Sequence, residues 1–199
     1  MARVREFDPE DAIQGAMNVF WRSGYGDTTM EDIVSETGVS RYGLYGTFGN
    51  KKELLLAAMR HYEQRMSDLV LSDLRKPGAG RAEIIGHWAA MRQHAEEEDF
   101  CNGCLIVNVA AEVAPHDPEI AAEVRRFDQE RTAIFATAIR NGQEAGEITL
   151  DLDPEGAGKM LVALSHGGAL MIRAGTKPSE LEGAIEAALY FLRRPNNSR

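Results

Sequence analysis

Cysteine is almost absent: the 199 residues hold two, Cys101 and Cys104. That is too few, and too closely spaced, for the disulfide framework of a small secreted protein, so any role they have is chemical or incidental. No apolar run approaches the roughly eighteen residues that cross a bilayer, and the opening stretch MARVREFDPEDA has no apolar leader segment. A cytoplasmic protein with no membrane partner is expected. A nucleophile elbow, a phosphate-binding glycine loop and a metal-binding helix motif are also missing. His87, His94, His116 and His166 are scattered among glutamates without a catalytic pattern, so neither an enzyme nor a cofactor is expected.

Positive charge is scarce as well, with 22 Lys and Arg against 31 Asp and Glu for a net charge of −9. Taken whole, that balance argues against a nucleic-acid partner, but the deficit is uneven. Residues 1–60 carry seven basic and nine acidic side chains, and from Ser40 to Lys52 the sequence holds Arg41, Lys51 and Lys52 and no acid. Phosphate is contacted by local patches of this kind, whereas global charge speaks mainly to solubility.

Signals for strands are lacking too, while helix punctuation recurs. Asp8-Pro9, Asp117-Pro118 and Asp153-Pro154 each place an N-cap acid before a proline at the first helical position. After Asp8, apolar Ile13, Ala16, Met17 and Phe20 follow at helical spacing until Gly24. Thr28-Thr29-Met30-Glu31 has the form of a capping box for a short helix that Gly38 closes. Ser40 can cap a third helix to about Phe48, and Asn50 to Glu53 a fourth carrying Leu54, Leu55, Ala58, Met59, Tyr62 and Met66. Further helices are expected around Ile84 to Met91, from Cys104 to Pro115, from Pro118 to near Gly142, from Pro154 to near Gly175, and from Pro178 to about Arg193. The expected fold is all-α with about nine helices. A three-helix unit over residues 1–50 precedes a larger helical body over residues 51–199.

Two short helices joined by a tight glycine turn and braced by a longer first helix have the spacing of a helix-turn-helix, although a hairpin within a bundle would share it. Polarity favours the former. With Leu44 and Phe48 turned inward, the third helix is left to expose Arg41, Tyr42, Tyr45 and Thr47, which are partners for phosphates and base edges. The stretch TTMEDIVSETGVSRYGLYGTFGNKKEL resembles the DNA-binding signature of the TetR/AcrR family of dimeric one-component repressors. The resemblance implies double-stranded operator DNA as partner, with Ser40 to Thr47 as the recognition helix. It also implies that Thr28 and Thr29 begin the supporting helix, that Tyr45 and Lys51 hold backbone phosphates, and that Arg41, Tyr42 and Thr47 meet bases or groove edges. Arg41-Tyr42-Gly43 and Gly46-Thr47 depart from common family residues, so no operator sequence carries over. Gly43 and Gly46 each cost a helix about 0.5–1 kcal/mol relative to alanine. Either they let backbone approach DNA, or packing merely permits them.

In that family the remaining helices bind an effector and dimerise. Asn102 to Ile120 resembles a subgroup whose sixth helix begins Gly-Cys-Leu, some of whose members respond to electrophiles or oxidants through the cysteine matching Cys104. A thiol in a first helical turn is activated by the helix N-terminus, and Cys101 could resolve its oxidised form. Inert packing is the competing reading, and a metal site is weaker still, since one C-x-x-C supplies two of four ligands and His94 or His116 would have to complete it. Tyr62, Met66, Trp88, Met91, Phe100, Ile106, Phe127 and Phe135 are candidates to line an apolar effector pocket, with His94 and Asn108 as polar handles. Stripes of this kind are also ordinary core. The last two helices, rich in small residues from Gly156 to Ala169 and from Gly183 to Ala188, suit a homodimer interface as well as packing within the chain. The expected function is a sequence-specific transcriptional regulator, a repressor released by a small molecule or an electrophile. The alternative is a helical ligand-binding or protein-interaction module without DNA activity.

Overall fold

In the computed structural model, which describes residues 7–95 and 101–192, all regular structure among the described residues is helical. Helix α1 spans Pro9–Ser23, α2 Met30–Thr37, α3 Arg41–Phe48 and α4 Lys51–Met66. A π-helical turn, Ser67–Leu71, follows α4. Helix α5 spans Arg81–Ala95, α6 Leu105–Glu112, α7 Pro118–Glu144 and α8 Pro154–Arg173. The last helix starts as a 3-10 turn over Pro178–Leu181, becomes α9 over Glu182–Leu189, and ends as 3-10 at Leu192. Phe100 and the end near Arg193 expected from sequence lie outside the described residues.

The acid-proline openings work through local chemistry. Asp8 accepts from Glu10 N–H at 2.8 Å, Asp117 from Glu119 and Ile120 N–H at 3.0 and 3.2 Å, and Asp153 from Gly156 N–H at 2.8 Å. Each satisfies donors that the first turn leaves unpaired. The box on α2 is one residue later than its sequence form suggests. Thr29 is the N-cap and exchanges hydrogen bonds with Asp32, while the Thr28 hydroxyl is taken by the Gly24 carbonyl. Helix α6 likewise starts one residue late: Cys104 is its N-cap, outside the first turn.

The described residues form two compact units. The first comprises residues 7–65 and 104–124 and the second residues 66–95, 101–103 and 125–192. Met17, Phe20, Trp21, Ile33, Leu44, Leu54, Leu55 and Tyr62 are the buried centre of the first, with Trp21 and Tyr62 edge-to-face at 5.1 Å. In the second, Ile84, Phe135, Ile139 and Leu161 are fully buried. Gly158 fixes a close helix crossing there, since a Cβ on it would lie 2.7 Å from the Thr132 carbonyl oxygen.

Candidate nucleic-acid interface and effector-site residues

Helix α3 is held to the first unit by one fully buried side chain, Leu44, and by the turn before it. Gly38 sits at φ 67°, the left-handed conformation that lets α2 stop and α3 start within two residues. Ser40 then caps α3 by accepting from Gly43 N–H at 3.2 Å. Because Leu44 faces inward, the opposite side of an eight-residue helix must face water. Ser40, Arg41, Tyr42, Tyr45 and Gly46 are exposed there, Tyr42 at 82%, and Thr47 is half-buried.

Thr28 and Thr29 part company. Thr29 is exposed at the start of α2, whereas Thr28 is buried with its hydroxyl committed to Gly24, so it shapes the turn rather than presenting a contact.

The two glycines of α3 also differ. A Cβ on Gly43 would come within 3.1 Å of both Phe7 and Val39, which ties that glycine to packing inside the unit. Around Gly46 there is nothing within 4 Å, so its bare backbone faces outward. Gly46→Ala is therefore expected to raise the melting temperature by about 1–4 °C, from about 0.5–1 kcal/mol of helix propensity, and to weaken operator binding. Thermal unfolding measured beside operator affinity checks this, and a stabilised variant with unchanged affinity would show that backbone does not approach DNA at this position.

The acid-free basic stretch is not acid-free in space. Arg41 pairs with Glu31 of α2 and lies 5.7 Å from the centre of the Tyr45 ring. Lys51 donates to the Tyr25 carbonyl at 2.6 Å with its ammonium 4.3 Å from that ring's centre. Lys52 bridges Asp117 at 3.2 Å and Glu119 at 2.7 Å, at the start of α7. The Ile120 amide, foremost, holds the Asp117 carboxyl below its usual range, and the Thr29 hydroxyl does the same for Asp32. Sequence reasoning missed Glu112, at the end of α6, whose carboxylate accepts from Tyr25 N–H at 2.9 Å and Gly26 N–H at 2.5 Å. Together with Lys52 it ties α6 and the start of α7 to the loop and helix that flank α2 and α3.

The effector candidates divide between the units. Tyr62, Cys104, Ile106 and Asn108 belong to the first, and Met66, Trp88, Met91, His94, Cys101, Phe127 and Phe135 to the second. Tyr62, Met66, Trp88, Ile106, Phe127 and Phe135 are buried, while Met91, His94 and Asn108 are half-buried. Cys104 is buried and Cys101 exposed, both as thiols. No group of three His, Cys, Asp or Glu able to hold a metal occurs among the described residues.

A buried polar cluster in the second unit was not foreseen. His87 is 3% exposed, and its Nδ1 lies 2.7 Å from the Val70 carbonyl in the π-helical turn. A carbonyl can only accept, so Nδ1 carries the proton and Nε2 is left as an acceptor. Burial, then the charge of Arg131, pushes the His87 pKa down to about 4. Arg131 is 5% exposed, and its guanidinium carbon lies 5.1 Å from the centre of the Phe127 ring. Its register was the available signal, since Phe127, Arg131 and Phe135 follow one another at four-residue steps along one face of α7.

Residues 12–58 match the sequence profile described as bacterial regulatory proteins, tetR family, and residues 80–188 that of the tetracyclin repressor-like C-terminal domain. The uncharacterized HTH-type transcriptional regulator YezE of Bacillus subtilis is 30% identical over 148 residues, covering 74% of this chain and 76% of that protein. The HTH-type transcriptional repressor ComR of Escherichia coli is 27% identical over 182 residues, 90% of this chain and 86% of its own. Among solved structures, a cysteine mutant of the regulator CifR complexed with 26-bp operator DNA superposes with a TM-score of 0.84. It is 23% identical, over 94% of this chain and 98% of that one.

Proposed function

The chain belongs to the TetR family of bacterial regulatory proteins, and we propose that it is a homodimeric, cytoplasmic repressor that leaves its operator when an effector binds. It is a DNA-binding transcriptional regulator and not an enzyme. The observation that carries the reading is the outward face of α3, which presents Arg41, Tyr42, Tyr45 and Gly46 from a helix whose one fully buried side chain is Leu44. Residues 1–50, together with Lys51 just beyond them, make the DNA contacts, and residues 51–199 dimerise and bind the effector. Arg41, Tyr42 and Thr47 read bases or groove edges, with Ser40, Thr29, Tyr45 and Lys51 at the backbone. Engaging DNA exchanges the Arg41–Glu31 pair for a base or groove-edge contact and part of the Lys51 contact for phosphate, and the phosphate contacts make affinity fall steeply with salt.

One short helix reads too few bases for specificity, so two must sit about 34–36 Å apart on successive major-groove faces. The last two helices supply a surface for that pairing. On α8 the exposed residues Met160, Ala163, Gly167, Leu170 and Met171 recur at helical spacing, and a Cβ on Gly167 would point into open space. Helix α9 buries none of its residues in the single chain and exposes Gly183, Ala184 and Ala187. Apolar helix faces of this extent on a soluble protein belong against another surface. Gly158, Leu161, Ala169 and Leu181 are not part of it, because they are buried within their own chain. Leu170→Glu places a charge on the stripe without touching the core, and it is expected to weaken dimerisation at least about tenfold and operator binding with it. Sedimentation at micromolar concentration checks this, and an unchanged dimer would remove α8 from the interface.

Release follows if the effector prefers a dimer whose α3 helices no longer match the half-site spacing. The Glu112 bonds to Tyr25 and Gly26 are the connection through which a shift of α6 re-aims the helix-turn-helix. With Cys104 buried, a bound small molecule is favoured over thiol modification as the trigger.

A further inference from the structure

The second unit holds a buried arginine with two donors left unpartnered among the described residues. Arg131 is buried, and its Nε and Nη2 have no hydrogen-bond partner among the described residues. These two nitrogens are the adjacent pair on one edge of the guanidinium, and their N–H bonds run parallel at the spacing of two carboxylate oxygens. Phe127 covers one face of the group, which leaves that edge as the polar direction still open. Nearby, Trp88 Nε1, a donor, and His87 Nε2, an acceptor, are also buried without partners among the described residues. His87 packs edge-to-face on Trp88 at 5.4 Å and on Phe135 at 5.1 Å. The cluster is thus an aromatic enclosure around one fixed cation with three unsatisfied donors and one acceptor. Arg131 makes no ion pair among the described residues, although Asp128 feels its charge, and a buried cation without a direct partner is costly, so such a group is retained where something else completes it.

We propose that the second unit binds an organic carboxylate through Arg131, with Nε and Nη2 gripping the carboxylate oxygens and Trp88, Phe127 and Phe135 enclosing an apolar body. This deepens the effector reading above and rests on it for its regulatory consequence only. Carboxylate fits better than phosphate because the cluster holds a single cation: His87 is neutral, and the other charged neighbours are Asp128 and His166, 3.3 Å apart. Burial, foremost, raises the Asp128 pKa and lowers that of His166, and the charge of Arg131 lowers both. A surface groove of about 330 Å³ between α7 and α8 is lined by Arg125, Asp128, Gln129, Thr132, Glu155 and Lys159. Its lining takes in Gln129 and Thr132, close to Arg131 along α7, and does not include Arg131, Trp88, Phe127 or Phe135 themselves. Glu155 is already paired with Arg140 there, which leaves Arg125 and Lys159 to draw an anion.

The test titrates the full-length protein with hexanoate, octanoate, benzoate and phenylacetate, each beside its neutral amide. Binding is followed by tryptophan emission, to which Trp88 contributes, and by melting temperature. At least one acid should bind with millimolar affinity or better while its amide binds at least about tenfold more weakly. Arg131→Met should abolish the difference, and Arg131→Lys, which keeps the charge and the fold but not the paired donors, should weaken acid binding about tenfold. Equal binding of acid and amide, unchanged acid binding by Arg131→Lys, or no binding of any acid up to about 10 mM would overturn the proposal. Operator release is measured separately with the acid that binds. A carboxylate that binds through Arg131 without releasing DNA upholds the site and overturns its role as the effector site.

Discussion

Replacing Arg41 and Tyr42 together with alanine is expected to weaken operator binding about 100-fold or more, while leaving the melting temperature nearly unchanged. Both side chains stand on the face of α3 opposite Leu44, and neither fills the core. Each well-placed base contact is worth about 1–3 kcal/mol of discrimination. Two of them in each half-site make the loss large for a dimer. The pair that Arg41 forms with Glu31 is exposed on both sides, and exposed pairs contribute little to stability. Anisotropy titrations against the operator and a scrambled duplex of equal length read the effect. The operator should lose most of its advantage, and the scrambled duplex should change little because phosphate contacts dominate there. Unchanged operator affinity in the double variant would mean that α3 does not read DNA.

Acidification is expected to destabilise the protein by about 3 kcal/mol between pH 6.5 and pH 4 through His87 alone. In the folded chain its pKa is about 4 against an ordinary value of 6.5, because burial and Arg131 both oppose a second positive charge. Above pH 6.5 the imidazole is neutral whether the chain is folded or not, and it costs nothing. As pH falls below that value the unfolded chain gains a proton that the folded chain refuses, so stability drops until the folded group titrates near 4. His166 is shifted in the same direction and adds to the loss, whereas the raised pKa of Asp128 works against it. Asp32 and Asp117, held low, give up their contributions mainly at lower pH. Urea unfolding at several pH values should show the slope, and His87→Phe should flatten it while lowering stability near neutrality, since the Val70 carbonyl loses its donor. An unaltered slope in that variant would mean that His87 is not the group responsible.

Much of what is decided within one helical turn was legible in the sequence. The acid-proline openings of α1, α7 and α8, the glycine that ends α2 and the serine cap of α3 are interactions between residues two to four apart. The inward turn of Leu44, and with it the outward face of α3, followed from periodicity. What failed to show depended mostly on residues distant in sequence, the α2 cap being a local exception. The sequence form put the α2 box at Thr28, but the Gly24 carbonyl, four residues back, takes the Thr28 hydroxyl and leaves Thr29 to cap with Asp32. The basic stretch from Ser40 to Lys52 is acid-free only along the chain; its partners come from Glu31, Asp117 and Glu119. Gly158 and Gly167 look alike on paper, yet one lies against the Thr132 carbonyl and the other faces open space. Arg131 was hidden by the general rule that arginines sit in water, although its place between Phe127 and Phe135 set it on the buried face of α7.

The most direct test of a dimeric, sequence-specific regulator is selection of duplexes from a random pool by the full-length protein, followed by the mass of the complex on the winning sequence. A palindrome should be enriched, with half-sites centred about one helical turn or a multiple of it apart and two chains bound to each duplex. An unenriched pool, or a single half-site occupied by one chain, would contradict it.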